Sequence, residues 1–287
     1  MRKKRNILLA ILLAAILGSL IWFIFTPHEL VYSGKTLSVW LQEMEDWDGD
    51  TNYPAYIAFQ NMGSNAIPAL LSVIESGGSR LQKLTFQLNQ KQSIVHLPGG
   101  TPWRQEMGAT WALYAMGTNA APTFQVFTNW LLHTNKTIPS AIVLAGIGSE
   151  AIPTLIAALT NQERRIRHSA ASGLAWARSD VDLIIPALIA RLSDRDATMQ
   201  YMAASSLGQI HARPDIAVPA LIKNLSSTDP LLRGTILISL GLFEGKALEA
   251  LPVIMVALKD PDPLVRQSAG FALKQIDPEA AAKAGVK

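Results

Sequence analysis

The sequence predicts an all-α protein, an α-solenoid of about six to seven helix pairs preceded by one N-terminal transmembrane helix. Three observations favour this fold. A residue pattern recurs every 33 positions in the C-terminal half, each recurrence contains two amphipathic helical segments, and an apolar run lies near the N-terminus. A repeat period of this length is typical of solenoids, because each unit buries its apolar face against its neighbours.

Three kinds of residue mark the repeat. Acidic residues recur at steps of 33 positions: Glu163, Asp196, Asp229 and Asp262. A long polar side chain stands four positions after each of them: Arg167, Gln200, Arg233 and Arg266. Prolines near the second helices keep the same step: Pro186, Pro219 and Pro252. Because different residue types share one period, one structural unit is repeated.

The last unit shows how the first helix forms. Asp262 occupies an N-cap position, where its carboxylate can accept from the free N–H groups of the first turn. Pro263 follows at the first helical position, where its missing N–H costs nothing. Apolar residues then recur at helical spacing: Leu264, Ala269, Ala272, Leu273 and Ile276.

The second helix of each unit is identified by counting positions from its proline. Apolar residues stand one position before it and two, three and six positions after it: Ile185, Leu188, Ile189 and Leu192; Val218, Leu221, Ile222 and Leu225; Leu251, Ile254, Met255 and Leu258. These positions share one face of a helix. The sequence therefore predicts two antiparallel helices in each unit.

The motif D-P-x-x-R, followed by A-x-x-A-L and a second helix that opens near a proline, resembles a HEAT repeat. It resembles in particular the short variety first noted in phycobilisome lyases. The resemblance covers roughly residues 51–287 and implies a HEAT/armadillo-type α-solenoid there. It constrains activity little, because this fold serves many unrelated functions.

The N-terminal segment predicts a membrane anchor. Residues 1–6 contain a basic cluster, and residues 7–25 form a run of 19 uncharged, mostly apolar residues. As a helix, this run is about 28 Å long, close to the hydrocarbon thickness of a bilayer. Because basic flanks stay cytoplasmic, we expect a single-pass protein of a cell membrane with its C-terminal domain extracytoplasmic.

The alternative to an anchor is a cleaved signal peptide, whose apolar region is shorter and ends at a small-x-small site. Here the apolar run ends at Phe25-Thr26-Pro27. Val31-x-Ser33 is a possible cleavage site, but it lies well beyond the end of that run. We expect the purified protein to keep its N-terminal residues, as measured by intact mass. A mature N-terminus near residue 34 would contradict the anchor.

Residues 26–50 are predicted to be a linker with a capping helix, because Leu37, Trp40, Leu41 and Met44 have helical spacing. The segment YSGKTLSVWL resembles a short leader ahead of the repeats in other bacterial envelope proteins of this type. A loop insertion is predicted at about residues 76–102, where the spacing between units is longer than one repeat needs. Such a loop is usually functional or disordered, and we expect it beside the binding surface.

Composition and motifs argue against catalysis. The absence of cysteine excludes disulfides, thiolate metal sites and a cysteine nucleophile. The histidines lack the spacing of H-E-x-x-H. Deoxyhypusine hydroxylase, a HEAT-type enzyme, binds iron through His-Glu pairs within its repeats, but the pair here, His28-Glu29, precedes the array. We therefore expect no catalytic residue, no metal and no cofactor.

Two smaller motifs also favour ordinary structural roles. Asp46, Asp48 and Asp50 suggest a calcium loop, but glycine and glutamate do not stand where an EF-hand requires them, so an acidic turn is favoured. His168 and Ser169 are neighbours on one helix and point about 100° apart, so they do not form a catalytic relay.

The basic charge of the chain does not predict nucleic-acid binding. Residues 1–30 hold four Lys or Arg residues and one acid, which leaves equal numbers of basic and acidic residues in the remainder. Phosphate binding requires a concentrated positive face. We therefore expect no nucleic-acid partner.

The repeated acids and arginines could bind a partner or stabilise the repeats. The HEAT resemblance favours the structural role, because such residues cap helices and bond across adjacent repeats in that family. The predicted structural ladder consists of Glu163, Arg167, Asp196, Asp229, Arg233, Asp262 and Arg266.

The outer face of the second helices predicts the binding surface. It contains the positions one, four and five after each proline, and only Arg191 and Lys223 are charged among the eighteen residues there. In HEAT arrays this helix layer lines the concave side, and a weakly polar groove favours protein or peptide docking. The predicted partner-binding residues are Phe127, Arg191, Lys223, Val253 and Val256. The alternative is that tight curvature closes the groove.

The sequence therefore favours a non-enzymatic, membrane-anchored scaffold that docks a protein or peptide on its concave helix layer. Two alternatives stay open. One is a lyase-like enzyme or enzyme subunit, like the bilin lyases that the repeat type resembles. The other is a purely structural spacer without a ligand.

Overall fold

The computed structural model of the protein describes residues 30–76 and 102–286. The predicted cytoplasmic stub at 1–6, the predicted membrane-spanning segment at 7–25 and almost all of the predicted insertion at 76–102 lie outside these residues. Within the two described ranges, no helix combines the length and the apolar character needed to cross a membrane.

The described chain begins with a β-hairpin that the sequence analysis missed. Strand β1 (Val31–Tyr32) pairs antiparallel with strand β2 (Lys35–Thr36). Ser33 and Gly34 between them both have positive φ, 48° and 77°, as a tight two-residue hairpin turn requires. The Ser-Gly pair was the signal for this turn.

Helix α1 (Leu37–Met44) follows the hairpin and packs against the first two helix pairs. Its buried residues are those whose spacing predicted the helix: Leu37, Trp40, Leu41 and Met44. The indole N–H of Trp40 donates to the carbonyl oxygen of Tyr32 at 2.9 Å. The hairpin is therefore fastened to α1.

Seven helix pairs follow within the described residues. The first helices are α2 (Pro54–Met62), α4 (Pro102–Met116), α6 (Thr137–Ile147), α8 (Arg164–Leu174), α10 (Ala197–Ile210), α12 (Pro230–Leu242) and α14 (Pro263–Ile276). The second helices are α3 (Ile67–Ser76), α5 (Phe124–His133), α7 (Ile152–Ala158), α9 (Val181–Ile189), α11 (Pro214–Asn224), α13 (Leu251–Ala257) and α15 (Pro278–Lys283). Short 3-10 segments precede α3, α5 and α13: Ser64–Ala66, Gly117–Thr123 and Glu244–Ala250.

The helices stack as a solenoid. From α4 onward each first helix packs against the next first helix, and the second helices α5, α7, α9, α11 and α13 each pack against the first helix of the following unit. The core is a continuous layer of Leu, Ile, Val and Ala side chains between the two helix layers. The predicted all-α solenoid is confirmed.

Aspartates cap three of the repeated first helices. The carboxylate of Asp262 accepts from the N–H groups of Leu264 at 2.8 Å and Val265 at 3.4 Å. Asp229 accepts from the N–H group of Leu231 at 2.9 Å, and Asp196 caps α10 in the same way. Free N–H groups at the start of these helices are thereby satisfied.

Adjacent first helices come close where one of them carries a glycine. A Cβ atom on Gly173 in α8 would lie 2.5 Å from the carbonyl oxygen of Ala141 in α6. A Cβ atom on Gly208 in α10 would lie 2.7 Å from the Cα atom of Ser239 in α12. Both distances are far below van der Waals contact, so the helix spacing depends on the missing side chains.

Gly173→Ala should lower the free energy of unfolding by about 1–3 kcal/mol, because the new methyl group overlaps the backbone of Ala141. Urea denaturation followed by circular dichroism measures this change. Gly245→Ala is the control, because a Cβ atom there meets no atom within 4 Å. Equal effects of the two substitutions would contradict a contact dependent on Gly173.

Candidate functional site

The arginine of the repeat holds the loop that precedes its own helix. In the unit that begins with α12, Arg233 donates to the carbonyl oxygens of Ser227 at 2.9 Å and Thr228 at 3.2 Å. It also donates to both carboxylate oxygens of Asp260 at 3.0 and 2.8 Å. Arg233 therefore joins two successive inter-unit loops through one guanidinium group. This bond holds the pKa of Asp260 below its usual range.

Arg167 and Arg266 make the same kind of loop contact in their own units. Arg167 donates to the carbonyl oxygens of Asn161 at 2.8 Å and Gln162 at 2.9 Å. Arg266 donates to the carbonyl oxygens of Asp260 at 2.7 Å and Pro261 at 2.8 Å. The loop contact therefore recurs in three units.

Gln200 occupies the ladder position in α10, and its amide donates to the carbonyl oxygen of Asp194 at 2.5 Å. Glu163 differs from the three capping aspartates. It stands at the N-cap position of α8, but its side chain makes no capping bond and pairs instead with Arg165 at 3.0 Å. The sequence expectation of an acidic cap is therefore wrong for Glu163, whose longer side chain reaches a cation.

Asp196 collects three basic side chains from the preceding unit. Its carboxylate lies 3.0 Å from Arg164, 3.1 Å from Arg167 and 3.0 Å from His168, and it also accepts from the N–H group of Thr198 at 3.1 Å. Burial opposes ionisation, but the hydrogen bond and charge of His168 and the charge of Arg164 hold the pKa of Asp196 below its usual range. His168 is thus engaged in an inter-unit contact.

Asp229 accepts a hydrogen bond from the hydroxyl group of Tyr201 in the preceding unit. This bond, together with backbone bonds from the first turn of α12, holds the pKa of Asp229 below its usual range. Asp229 therefore caps its own helix and also contacts the neighbouring unit.

A large concave feature lies between α11 and α13, and we call it the α11–α13 groove. Its volume is about 810 Å³. Apolar side chains make most of its wall: Ile222, Leu225, Val253, Met255, Val256 and Val265. Arg233, Lys259 and Asp260 supply its ionisable groups. Val256 is 74% exposed and Met255 is 43% exposed, so the apolar surface is open to solvent.

Met255 was expected on the buried face of its helix, and that expectation is wrong. Its position three residues after Pro252 corresponds to Ile189 and Ile222, which are half-buried. In α13 the side chain instead lines the groove wall. The groove is consequently more apolar than the sequence count indicated.

Two of the five predicted partner-binding residues, Val253 and Val256, line this groove. Lys223 is exposed on α11, three residues before the groove residue Ser226. Arg191 lies in the preceding unit, where it pairs with Asp194 at 3.2 Å.

Phe127 does not lie on the exposed surface that the sequence predicts. It is fully buried, and its ring packs edge-on against Trp130 with a centroid distance of 5.0 Å. Its position was counted from Pro122, which belongs to the 3-10 segment Gly117–Thr123. A 3-10 turn holds about three residues rather than 3.6, so the count places Phe127 on the wrong face of α5.

A second apolar surface lies on the first-helix layer, and we call it the α12–α14 face. Leu231 and Leu264 are 54% and 57% exposed, and Ile238 and Phe271 are 44% and 38% exposed. These residues border a cavity of about 420 Å³. The same repeat positions in the two preceding units are polar: Thr198, Ser205, Arg165 and Ser172. The α12–α14 face therefore does not continue into the two preceding units.

An aromatic cluster at the N-terminal end was not predicted. Trp47 stacks on Tyr56 with ring centroids 5.2 Å apart, and it also contacts Trp111, Tyr114 and Trp176. The hydroxyl group of Tyr114 donates to the carbonyl oxygen of Trp176 at 2.7 Å, and burial raises the pKa of Tyr114 to about 12. These residues are far apart in sequence, so periodicity gave no signal for their contact.

Arg178 completes this cluster. Its guanidinium group lies over the rings of Tyr56 at 5.1 Å and Tyr114 at 4.7 Å, and it donates to the hydroxyl group of Tyr56. The cluster therefore joins the first helix pair to the loop that follows α8.

In the part of the chain that the structure describes, no group of three or more His, Asp or Glu side chains is placed to hold a metal ion. Asp46 pairs with Arg104. The carboxylates of Asp48 and Asp50 accept from the N–H groups of Asp50 at 3.1 Å and Asn52 at 2.8 Å. These acids therefore organise a turn.

The repeats match a known family. Residues 152–233 and 218–284 match the family model of HEAT repeats. Residues 152–284 therefore match HEAT repeats, and the resemblance predicted from the sequence is confirmed over this range. No curated protein matches the chain in sequence.

Solved structures that are similar over most of the chain include two engineered proteins and one enzyme. One engineered protein is 22% identical, with 86% of this chain and 70% of that chain covered at a TM-score of 0.38. A second engineered protein is 20% identical, with 85% and 96% covered at 0.38. Human deoxyhypusine hydroxylase in complex with glycerol is 16% identical, with 84% and 96% covered at 0.39. Because these sequence identities and TM-scores are low, the assignment of HEAT repeats rests on the family match.

Arg233→Ala should lower the free energy of unfolding by about 2 kcal/mol, because it removes both guanidinium bonds to the carboxylate of Asp260 and frees two loop carbonyls. Thermal melting measures the change. Arg195→Ala is the matched control, because Arg195 is exposed and makes no ion pair within residues 30–76 and 102–286. An unchanged Tm for Arg233→Ala would count against the structural ladder.

Proposed function

We propose that the protein is a non-enzymatic HEAT-repeat scaffold that docks a protein or peptide segment in the α11–α13 groove. The observation that carries this proposal is the open apolar wall of the groove, where Val256 is 74% exposed. Soluble domains rarely leave a concave apolar surface of this size uncovered unless it binds something. A groove between helices suits a peptide whose apolar side chains face its wall.

The proposal includes attachment to a membrane through residues 7–25, with the repeats on the extracytoplasmic side. It is supported by the uncharged run of 19 residues and by the basic cluster before it. The partner would then be another protein or peptide of the cell envelope.

The two alternatives make different demands on the groove. A structural spacer does not need an exposed apolar wall. Its role would be unchanged if Val256 were buried. A lyase-like enzyme subunit would need side chains placed to act on a substrate. The ionisable groups in the α11–α13 groove are Lys259 and the paired Arg233 and Asp260. The groove therefore favours docking over both alternatives.

A photo-reactive residue at position 256 should crosslink in cells to one discrete partner, because that side chain points into the groove and is exposed. Immunoblotting for a shifted band measures this. The matched control is the same residue at position 264, which is 57% exposed on the α12–α14 face. No band from 256 in folded, membrane-associated protein would favour the spacer, and a band from 264 alone would move the docking site.

A further inference from the structure

The rim of the α11–α13 groove carries positive charge that no described acid neutralises. Lys259 lines the groove and Lys223 stands on α11 beside it, and both side chains are exposed. Across residues 30–76 and 102–286, neither lysine makes an ion pair. Lys223 stands four positions after Pro219, the position on α11 that corresponds to the groove residue Val256 four positions after Pro252 on α13.

The acid within the groove is already paired. Asp260 accepts two hydrogen bonds from Arg233, and both side chains are largely buried, with 14% and 15% exposed. This pair contributes no net charge to the groove. The two lysines are therefore left to interact with a ligand or with solvent.

The wall of the groove near these lysines is apolar. Val256 and Met255 are exposed there, and Val253 is half-buried beside them. An apolar wall with a cationic rim distinguishes among ligands, because a purely apolar segment leaves the rim unpaired and a basic segment is repelled by it. A segment with both apolar and acidic side chains satisfies both parts.

We infer that the groove takes an acidic, apolar peptide segment of a partner protein: its apolar side chains contact Val256 and Met255, and its Asp or Glu side chains pair with Lys223 and Lys259. This inference rests on the proposed docking function and specifies the chemistry of the partner. Because the ion pairs are exposed, they contribute selectivity and rate of association more than affinity. Binding should weaken as salt is added, since exposed charges are screened.

The test is a selection of phage-displayed random peptides on the full chain in detergent micelles. Enriched peptides should combine apolar residues with an excess of Asp and Glu. Synthetic copies should lose binding to Val256→Gln and keep it with Leu264→Gln. The double variant Lys223→Gln with Lys259→Gln should weaken binding roughly three- to tenfold.

The matched control for charge is the double variant Lys246→Gln with Lys283→Gln. These lysines are also exposed and lie outside the groove, so binding should not change. Circular dichroism melting checks that every variant folds, and fluorescence anisotropy of the labelled peptide gives the affinities. Equal weakening by both double variants would mean that the overall charge acts, and would overturn the inference.

The remaining outcomes separate the inference from the proposed function. Peptides that need Val256 but are neutral or basic would overturn the acidic ligand and leave docking intact. Enriched peptides that are all indifferent to Val256 would contradict docking in this groove. Dependence on Leu264 would place docking on the α12–α14 face. A crosslinked dimer of the chain from position 256 would identify the occupant as a second copy and overturn the inference.

Discussion

The structure depends on the close contact between successive first helices. Gly173 and Gly208 bring the backbones of neighbouring helices so near that no side chain fits between them. Each pair then buries its Leu, Ile and Val side chains in a core shared with the next pair. Because a single pair has no core of its own, stability spreads along the array through these contacts.

The repeated polar residues hold neighbouring inter-unit loops at a fixed distance from each other. Arg233 is the clearest case, since it holds the loop before α12 and reaches Asp260 in the loop before α14. Both loops border the α11–α13 groove, and Arg233 and Asp260 are themselves part of its wall. The ion pair that stabilises the repeat thus also sets the shape of the proposed docking surface. Arg233 and Asp260 therefore belong both to the repeat and to the surface proposed for docking.

Much of this fold could be predicted from the sequence. The 33-residue period specified the paired helices, and aspartate at 196, 229 and 262 specified where three of them begin. Val253 and Val256 were placed on the groove by counting from Pro252, because α13 begins next to that proline. The same counting failed for Phe127, where a 3-10 segment changes the helical phase.

Other features of the structure could not be predicted from the repeat period. The contacts of Trp47 with Trp111 and Trp176 join residues that no repeat relates. The pairing of Arg233 with Asp260 rather than with Asp262 depends on loop geometry. The exposure of Met255 depends on which surfaces the neighbouring helices leave uncovered. Each of these features depends on tertiary packing, which the residue pattern of a single sequence does not reveal.

The aromatic cluster has a mechanical consequence. In an ordinary solenoid, tension applied at one end peels away the terminal unit first, because that unit is held by one neighbour. Here Trp47 and Tyr56, at the start of the array, contact Trp176 and Arg178, which follow α8. A pull on the chain upstream of the hairpin is consequently shared by the first four helix pairs at once. The units up to α8 should therefore resist unfolding as a single block, and this block ends before the α11–α13 groove begins.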